Sequence, residues 1–119
     1  MNLRRVILEM GAGNDLYGED YTKAANRAVQ DALHHSSISL FRSLDIDSES
    51  MQVTVTLGAQ EPAKIDVDAV AATLPHGQVT VRAVKGGLNV YDEVRDSTSV
   101  VVTAGVEAWI DIPDRWMQG

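Results

Sequence analysis

The chain has 119 residues, enough for one hydrophobic core and too few for two domains of ordinary size, so we predict a single domain over residues 1–119. Hydrophobic residues make up 45% and charged residues 23% of the sequence, a balance that is typical of folded globular proteins and argues against disorder. The 17 acidic and 10 basic residues give a net charge of −7, which disfavours nucleic acids and anionic membrane surfaces as partners.

The chain contains no cysteine, which rules out disulfides, thiolate metal sites and a cysteine nucleophile. The apolar run near the N-terminus is interrupted by Glu9 and is too short for a secretory signal or a membrane span. We therefore expect a cytoplasmic protein with no metal site and no cofactor.

The first predicted elements are a strand over residues 3–10, a glycine-containing loop over residues 11–18, and a helix that ends near residue 33 or 35. Asp20 is the predicted N-cap of this helix, and Asp15 is the other candidate. Small apolar residues recur at helical spacing and predict close packing on a sheet; they are Ala24, Ala25, Ala28, Val29, Ala32 and Leu33.

The middle of the chain alternates further helices and strands. The spacing predicts a short helical piece over residues 38–44 and a half-buried strand over residues 50–58. A linker follows, and Asp66 is then the predicted N-cap of a short helix over residues 67–74, which residues 75–77 terminate.

The last third of the chain is predicted to be β structure. A strand over residues 78–85 is broken by Gly86 and Gly87, which indicate a bulge or turn before the apolar residues 88–91. The strongest buried strand covers residues 98–106 and can extend to residue 110.

The predicted order is strand, helix, strand, helix, strand, strand. This order fits an α/β fold of the two-layer sandwich kind (α+β), in which two helices pack on a four-stranded mixed sheet. A sheet this small leaves one face uncovered, and burial against another subunit is the simplest way to cover that face. We therefore expect a homo-oligomer.

The polar segment between the first strand and the first helix is the main candidate site. It follows the carboxyl end of a strand, where open α/β sheets bind ligands, and its helix begins with Lys23 and Arg27 although the helix dipole favours acidic residues there. Asp15 and Asp20 are the predicted acid/base groups, and Lys23 is a predicted base or electrostatic clamp. The predicted ligand-binding residues are Gly11, Gly13, Asn14, Tyr17, Thr22, Arg27, Lys85 and Gly86.

Structural explanations compete with these assignments. Lys23 and Arg27 each have an acidic residue at i−4 or i+4, so either cation alone is better explained as part of a solvated helix face. The whole segment, with its glycines and carboxylates, is better explained as a site. At Lys85 and Gly86 a bulge is the stronger interpretation, with a backbone anion cradle as the alternative.

Nucleotide-binding motifs are absent from the glycine-containing segment. The dinucleotide fingerprint that Gly11 and Gly13 begin lacks its third glycine, because Leu16 stands at that position. The phosphate-binding loop pattern also fails, since Gly18 is followed by Glu19 and not by lysine.

One long motif carries a family resemblance, and in this chain it is Gly11-x-Gly13-x-Asp15-x-x-Gly18-x-Asp20-x-Thr22-Lys23-Ala24-Ala25-x-Arg27-Ala28-Val29-x-Asp31-Ala32, followed by Ser37 and Gly86-Gly87-Leu88. The motif resembles the Lin-type family of small conserved hypothetical proteins, and the similarity spans nearly the whole chain. The resemblance implies that residues 11–27 are the family signature and that the subunits form a multimer. A histidine is common in the family where Tyr17 stands, so a catalytic histidine is not carried over. The family has no established activity.

Two functions of different classes fit these observations. The first is a cytoplasmic homo-oligomer that binds a small anionic or polar metabolite at residues 11–27, either as a binding protein or as a hydrolase or proton-transfer enzyme. The second is a non-catalytic structural or interaction protein whose charged helix start forms salt bridges at a subunit interface. An open cleft with unpaired cations favours the first. Cations that pair with carboxylates of another subunit, with no pocket beside them, favour the second.

Overall fold

The computed structural model describes residues 3–16, 18–34, 51–74 and 78–111. Five strands form one mixed sheet, and two α-helices pack on it. The elements, in chain order, are β1 (Leu3–Asp15), α1 (Tyr21–His34), β2 (Gln52–Ala59), a 3-10 turn (Pro62–Lys64), α2 (Val67–Ala72), β3 (Gln78–Lys85), β4 (Leu88–Asp92) and β5 (Ser97–Asp111). The helical piece predicted over residues 38–44 lies outside the described residues.

The long strand β5 organises the sheet. β1 runs antiparallel along one edge of β5, from Leu3 beside Asp111 to Asp15 beside Val100. On the other edge, β2 pairs with the second half of β5 and β4 pairs with the first half, both antiparallel. β3 lies outside β2 and runs parallel to it.

The prediction of a mixed α/β sheet with two helices is confirmed, whereas the prediction of four strands is wrong. Gly86 and Gly87 do not form a bulge within one strand. They carry the chain past the end of β2, so that β4 pairs with β5 and not with β2. A side chain on Gly87 would lie 2.4 Å from the carbonyl oxygen of Val101, and its φ of 64° favours glycine. One on Gly58 would lie 2.7 Å from Thr103 Oγ1.

The end of β1 is a second correction. The strand does not stop before a glycine loop at residue 11, because β1 continues through Gly11 and Gly13 to Asp15. Both glycines lie directly under α1. A Cβ on Gly11 would be 2.4 Å from the Ala32 backbone nitrogen, and one on Gly13 would be 2.3 Å from that of Ala28. Glycine here allows backbone to approach backbone, which accounts for both residues without a ligand.

Both predicted helix caps are confirmed. The Lys23 N–H donates to Asp20 Oδ1 at 3.0 Å, and the Ala69 N–H donates to Asp66 Oδ1 at 3.1 Å. Each carboxylate thereby satisfies a backbone donor that the first helical turn leaves unpaired.

The core lies between the helices and one face of the sheet. It consists mainly of alanine and valine, so the two layers approach closely. Its fully buried members include Ala24, Ala25, Ala28, Val29, Ala32, Val55, Leu57, Val70, Val100 and Val102. α1 covers β1 and β5, and α2 lies over β3.

The opposite face of the sheet carries the residues that alternate with the buried ones. Within the described ranges no helix or strand covers it. Leu8 and Met10 of β1 are 48% and 68% exposed there. We call this surface the open face; its residues include Arg5, Leu8, Met10, Thr54, Thr56, Thr80, Arg82, Val84, Leu88, Val90, Thr103, Gly105, Glu107 and Trp109.

The close contact between α1 and β1 predicts a large cost for Gly13→Ala. Because the added methyl group would collide with helix backbone that cannot rotate away, the free energy of unfolding should fall by about 1–3 kcal/mol. Urea unfolding measures the difference. Ala12→Ser, on the exposed side of the same strand, should change it by less than about 0.5 kcal/mol. Equal effects of the two variants would contradict the packing account.

Candidate functional site

The candidate site lies where β1 ends and α1 begins, and Asp15 is at its centre. The Asp15 side chain is buried, and its Oδ2 accepts the Asp20 N–H at 2.9 Å. Its Oδ1 lies 3.9 Å from Lys23 Nζ and 3.9 Å from Arg27 Nη1. Lys23 and Arg27 are four residues apart, so they lie on the same face of α1. Both therefore reach the same Asp15 carboxylate.

Asp15 lies on one side of Lys23 and Arg27, and both cations are also exposed to solvent. Their side chains are 53% and 50% exposed for Lys23 and Arg27 respectively. Arg27 Nη1 also donates to the carbonyl oxygen of Asn14 at 2.6 Å. Because a guanidinium has five N–H donors and an ammonium has three, both groups keep donors for a further partner.

The residues just before α1 pack closely around the Asp15 carboxylate. A side chain on Gly18 would lie 2.8 Å from Asp15 Oδ2, so glycine leaves room for that oxygen. The next residue, Glu19, has a φ of 50°, in the left-handed region that few residues adopt. Asp15 therefore acts first as the anchor of this turn. Tyr17, a predicted ligand-binding residue, lies outside the described residues.

A groove of about 550 Å³ runs along the exposed side of α1. We call it the α1 groove; it is lined by Asp20, Thr22, Lys23, Asn26, Arg27, Gln30, Asp31 and His34. Both signs of charge are present. Asn26 Oδ1 itself is buried and has no hydrogen-bond partner within the described part of the chain.

The structure brings together only part of the predicted site. Lys23, Arg27, Thr22 and Asp20 line the α1 groove, and Asp15 lies behind the two cations. Thr22 has a structural contact as well, since its Oγ1 accepts the Asp66 N–H at 2.9 Å.

Lys85 and Gly86 do not line the α1 groove. Lys85 Nζ donates to the Gln60 carbonyl oxygen at 2.8 Å, and Gln60 Nε2 donates to the Gly86 carbonyl oxygen at 2.9 Å. The Gly86 N–H donates to the Ala59 carbonyl oxygen at 2.9 Å. These groups bind one another where the chain passes β2, so the geometry supports a structural role for them.

The sequence did not predict the polar network around Tyr21, the buried first residue of α1. The Tyr21 hydroxyl accepts from Asn89 Nδ2 at 2.9 Å and donates to Glu61 Oε2 at 3.2 Å. Lys64 Nζ lies 3.1 Å from Glu61 Oε2, and this hydrogen bond lowers the pKa of Glu61 below its ordinary value of 4.5. Tyr21 thus ties α1 to β4 and to the 3-10 turn. Its only sequence signal was a tyrosine next to the N-cap.

The described residues contain neither a cluster of metal ligands nor a membrane-spanning helix. Among the described residues, no three His, Asp or Glu side chains are grouped so that they could hold a metal ion. In that same part of the chain, no helix has the length and apolar character to cross a membrane.

The fold and the site together define a small α/β protein with a five-stranded mixed sheet and a charged groove along its first helix. The chain belongs to the Lin0512 family of conserved hypothetical proteins, whose sequence profile matches residues 5–108. This match confirms the resemblance found in the sequence motif.

A solved structure shares the fold. It comes from Nostoc punctiforme and is described as an FtsZ-like protein of unknown function. The two sequences are 28% identical, the match covers 94% of this chain and 99% of that one, and the TM-score is 0.81. No functionally curated protein matches the chain.

The position of Asp15 predicts that its charge stabilises the fold. Asp15→Asn keeps an acceptor for the Asp20 N–H but removes the charge beside Lys23 and Arg27, so the free energy of unfolding should fall by about 1–3 kcal/mol. Urea unfolding at neutral pH measures the loss. Glu93→Gln in the exposed β4–β5 turn makes the same charge change and should have almost no effect. A loss no larger than that of the control would show that Asp15 is not an anchor.

The Tyr21 network predicts a loss on removing one hydroxyl group. Tyr21→Phe leaves the partly buried Asn89 Nδ2 without its partner and removes a hydrogen bond to the exposed Glu61, so the free energy of unfolding should fall by about 1–2 kcal/mol. Tyr91→Phe is the matched control: it removes a hydrogen bond from the hydroxyl to Asp96 Oδ1, but one on a largely exposed side chain, so the loss should be small. If both variants unfold at the same urea concentration, the network contributes no stability.

Proposed function

We propose that the chain binds a small polar metabolite with an anionic group in the α1 groove, and that Lys23 and Arg27 hold that group. The observation that carries the proposal is the position of two half-exposed cations on the same helix face beside a groove of about 550 Å³. Volumes of roughly 300–1,000 Å³ are typical of small-molecule sites.

The contacts of the two cations support a preorganised site. Asp15 Oδ1 is 3.9 Å from each cation, which is longer than a direct hydrogen bond. It therefore holds the cations in place electrostatically while their N–H donors stay available. Arg27 is further oriented by the Asn14 carbonyl oxygen. Side chains held in place before binding lose less conformational entropy when the ligand arrives.

The other lining groups narrow the chemical class of ligand. Asp20 and Asp31 add negative charge to the α1 groove, which disfavours a polyanion. These carboxylates and the Gln30 amide oxygen are hydrogen-bond acceptors for a donor group on the ligand. A molecule with one carboxylate or phosphate and a nearby hydroxyl or amine group satisfies both requirements, as a hydroxy acid or an amino acid does.

The geometry supports binding more directly than catalysis. Asp15 is not among the residues that line the α1 groove, and the Asp20 carboxylate caps α1. Both acid/base candidates therefore have structural contacts that account for them. The Nostoc punctiforme protein is described as of unknown function, so it adds no reaction to the proposal.

The test is a thermal-shift screen of small carboxylates and phosphates that carry hydroxyl or amine groups, followed by calorimetry of any compound that raises the melting temperature. Arg27→Gln should weaken binding of such a compound by about tenfold or more, because it removes a charge-assisted hydrogen bond of about 1.5–3 kcal/mol. Arg95→Gln is the matched control, since Arg95 lies in the β4–β5 turn outside the α1 groove. It should bind like the native protein.

Two outcomes would count against the proposal. Unchanged affinity in both Arg27→Gln and Lys23→Gln would place the ligand elsewhere. If no compound stabilises the native protein and these variants instead dissociate an assembly, the cations serve a subunit interface, which is the structural alternative.

A further inference from the structure

Gly105 occupies the middle of β5, the central strand. It pairs with Met10 of β1 on one side and with Thr56 of β2 on the other. Its neighbours Ala104 and Val106 are buried towards the helices, so by the alternation of a strand Gly105 belongs to the open face. A glycine in a strand interior weakens the strand and often marks a place where another backbone or a ligand comes close.

No contact within the described chain explains this glycine. A Cβ on Gly11, Gly13, Gly58 or Gly87 would collide with neighbouring atoms, whereas a Cβ on Gly105 would meet nothing within 4 Å. Gly105 also has no positive φ, since Gly87 is the glycine with that conformation among the described residues. The described residues therefore leave the space over Gly105 open.

The surroundings of Gly105 are those of an interface. Met10 and Leu8 are among the exposed large hydrophobic residues, and Trp109 lies on the same face, four residues after Gly105 in β5. Aromatic residues and methionine are enriched at protein interfaces. At their usual spacing of about 4.8 Å and rise of about 3.3 Å per residue, the five strands present roughly 800 Å² on this face. A standard interface needs about 800 Å² from each partner.

Charge separates the open face from the rest of the molecule. The chain carries a net charge of −7, which repels a second copy from most of its surface. On the open face Arg5 is paired with Glu107 at 3.2 Å, and Arg82 donates to Thr56 Oγ1 at 2.9 Å. The open face therefore lacks the excess negative charge of the whole chain, which favours it over the rest of the surface as a contact between identical subunits.

We propose that a second copy of this chain packs on the open face and approaches the sheet most closely at Gly105. The helices and the α1 groove lie on the other side of the sheet, so this inference is independent of the proposed ligand. It assigns a role to a glycine that the packing of residues 3–16, 18–34, 51–74 and 78–111 does not explain.

The test compares the molar mass of the native chain with that of three variants, by light scattering and by sedimentation over a range of concentrations. The native chain should have a mass of two or more copies. Gly105→Val and Met10→Glu should lower the mass to one copy. The valine side chain would keep the two copies apart, and the glutamate would bury an unpaired charge in the interface. Val94→Glu is the matched control in the β4–β5 turn, where Val94 is exposed, and it should keep the native mass. Circular dichroism confirms that each variant is folded.

The melting temperature of Gly105→Val distinguishes an isolated chain from one whose open face is covered by a second copy, because the substitution should change it in opposite directions. In an isolated chain valine has room at this position and favours strands, so the melting temperature should rise. Under a second copy it should fall at protein concentrations where the native chain is assembled. A native chain of one copy together with a raised melting temperature would overturn the proposal. An assembly that survives both Gly105→Val and Met10→Glu would also overturn it, because its interface would lie elsewhere.

Discussion

Helix α1 lies so close to β1 that the two backbones nearly touch, and the rest of the structure depends on this contact. Gly11 and Gly13 supply the strand surface, and alanines at helical spacing supply the helix surface. A side chain at either glycine would push the helix away from the sheet. The contact fixes the distance between α1 and the sheet, and it therefore fixes the position of the side chains on the first two turns of α1.

The geometry of the candidate site depends on this short distance between α1 and the sheet. Because α1 packs closely on β1, Asp15 Oδ1 at the end of β1 lies 3.9 Å from both Lys23 Nζ and Arg27 Nη1. Its carboxylate also receives the Asp20 N–H, which shapes the turn into the helix. Tyr21 fixes the same helix start from the other side through Asn89 and Glu61. Stability and site geometry are thus the work of the same few residues.

The sheet gives the molecule two different surfaces. One face carries the helices and the charged α1 groove, and the other carries exposed apolar side chains around an unexplained glycine. Such a division lets a small protein bind a ligand on one side and a second copy of itself on the other. The shared fold of the Nostoc punctiforme protein makes that protein a useful second subject for the same experiments.

The sequence by itself determined the elements whose signals are local. Periodicity located α1 and β2, side-chain chemistry identified the caps Asp20 and Asp66, and the long motif identified the family. Only the tertiary structure decided what the glycines do, because a glycine that bends a loop and one that admits a helix look alike in sequence. Likewise Tyr21 and Asn89 are 68 residues apart, and only the fold brings such groups together. Local patterns report backbone preference and burial, whereas contacts depend on how the elements are stacked.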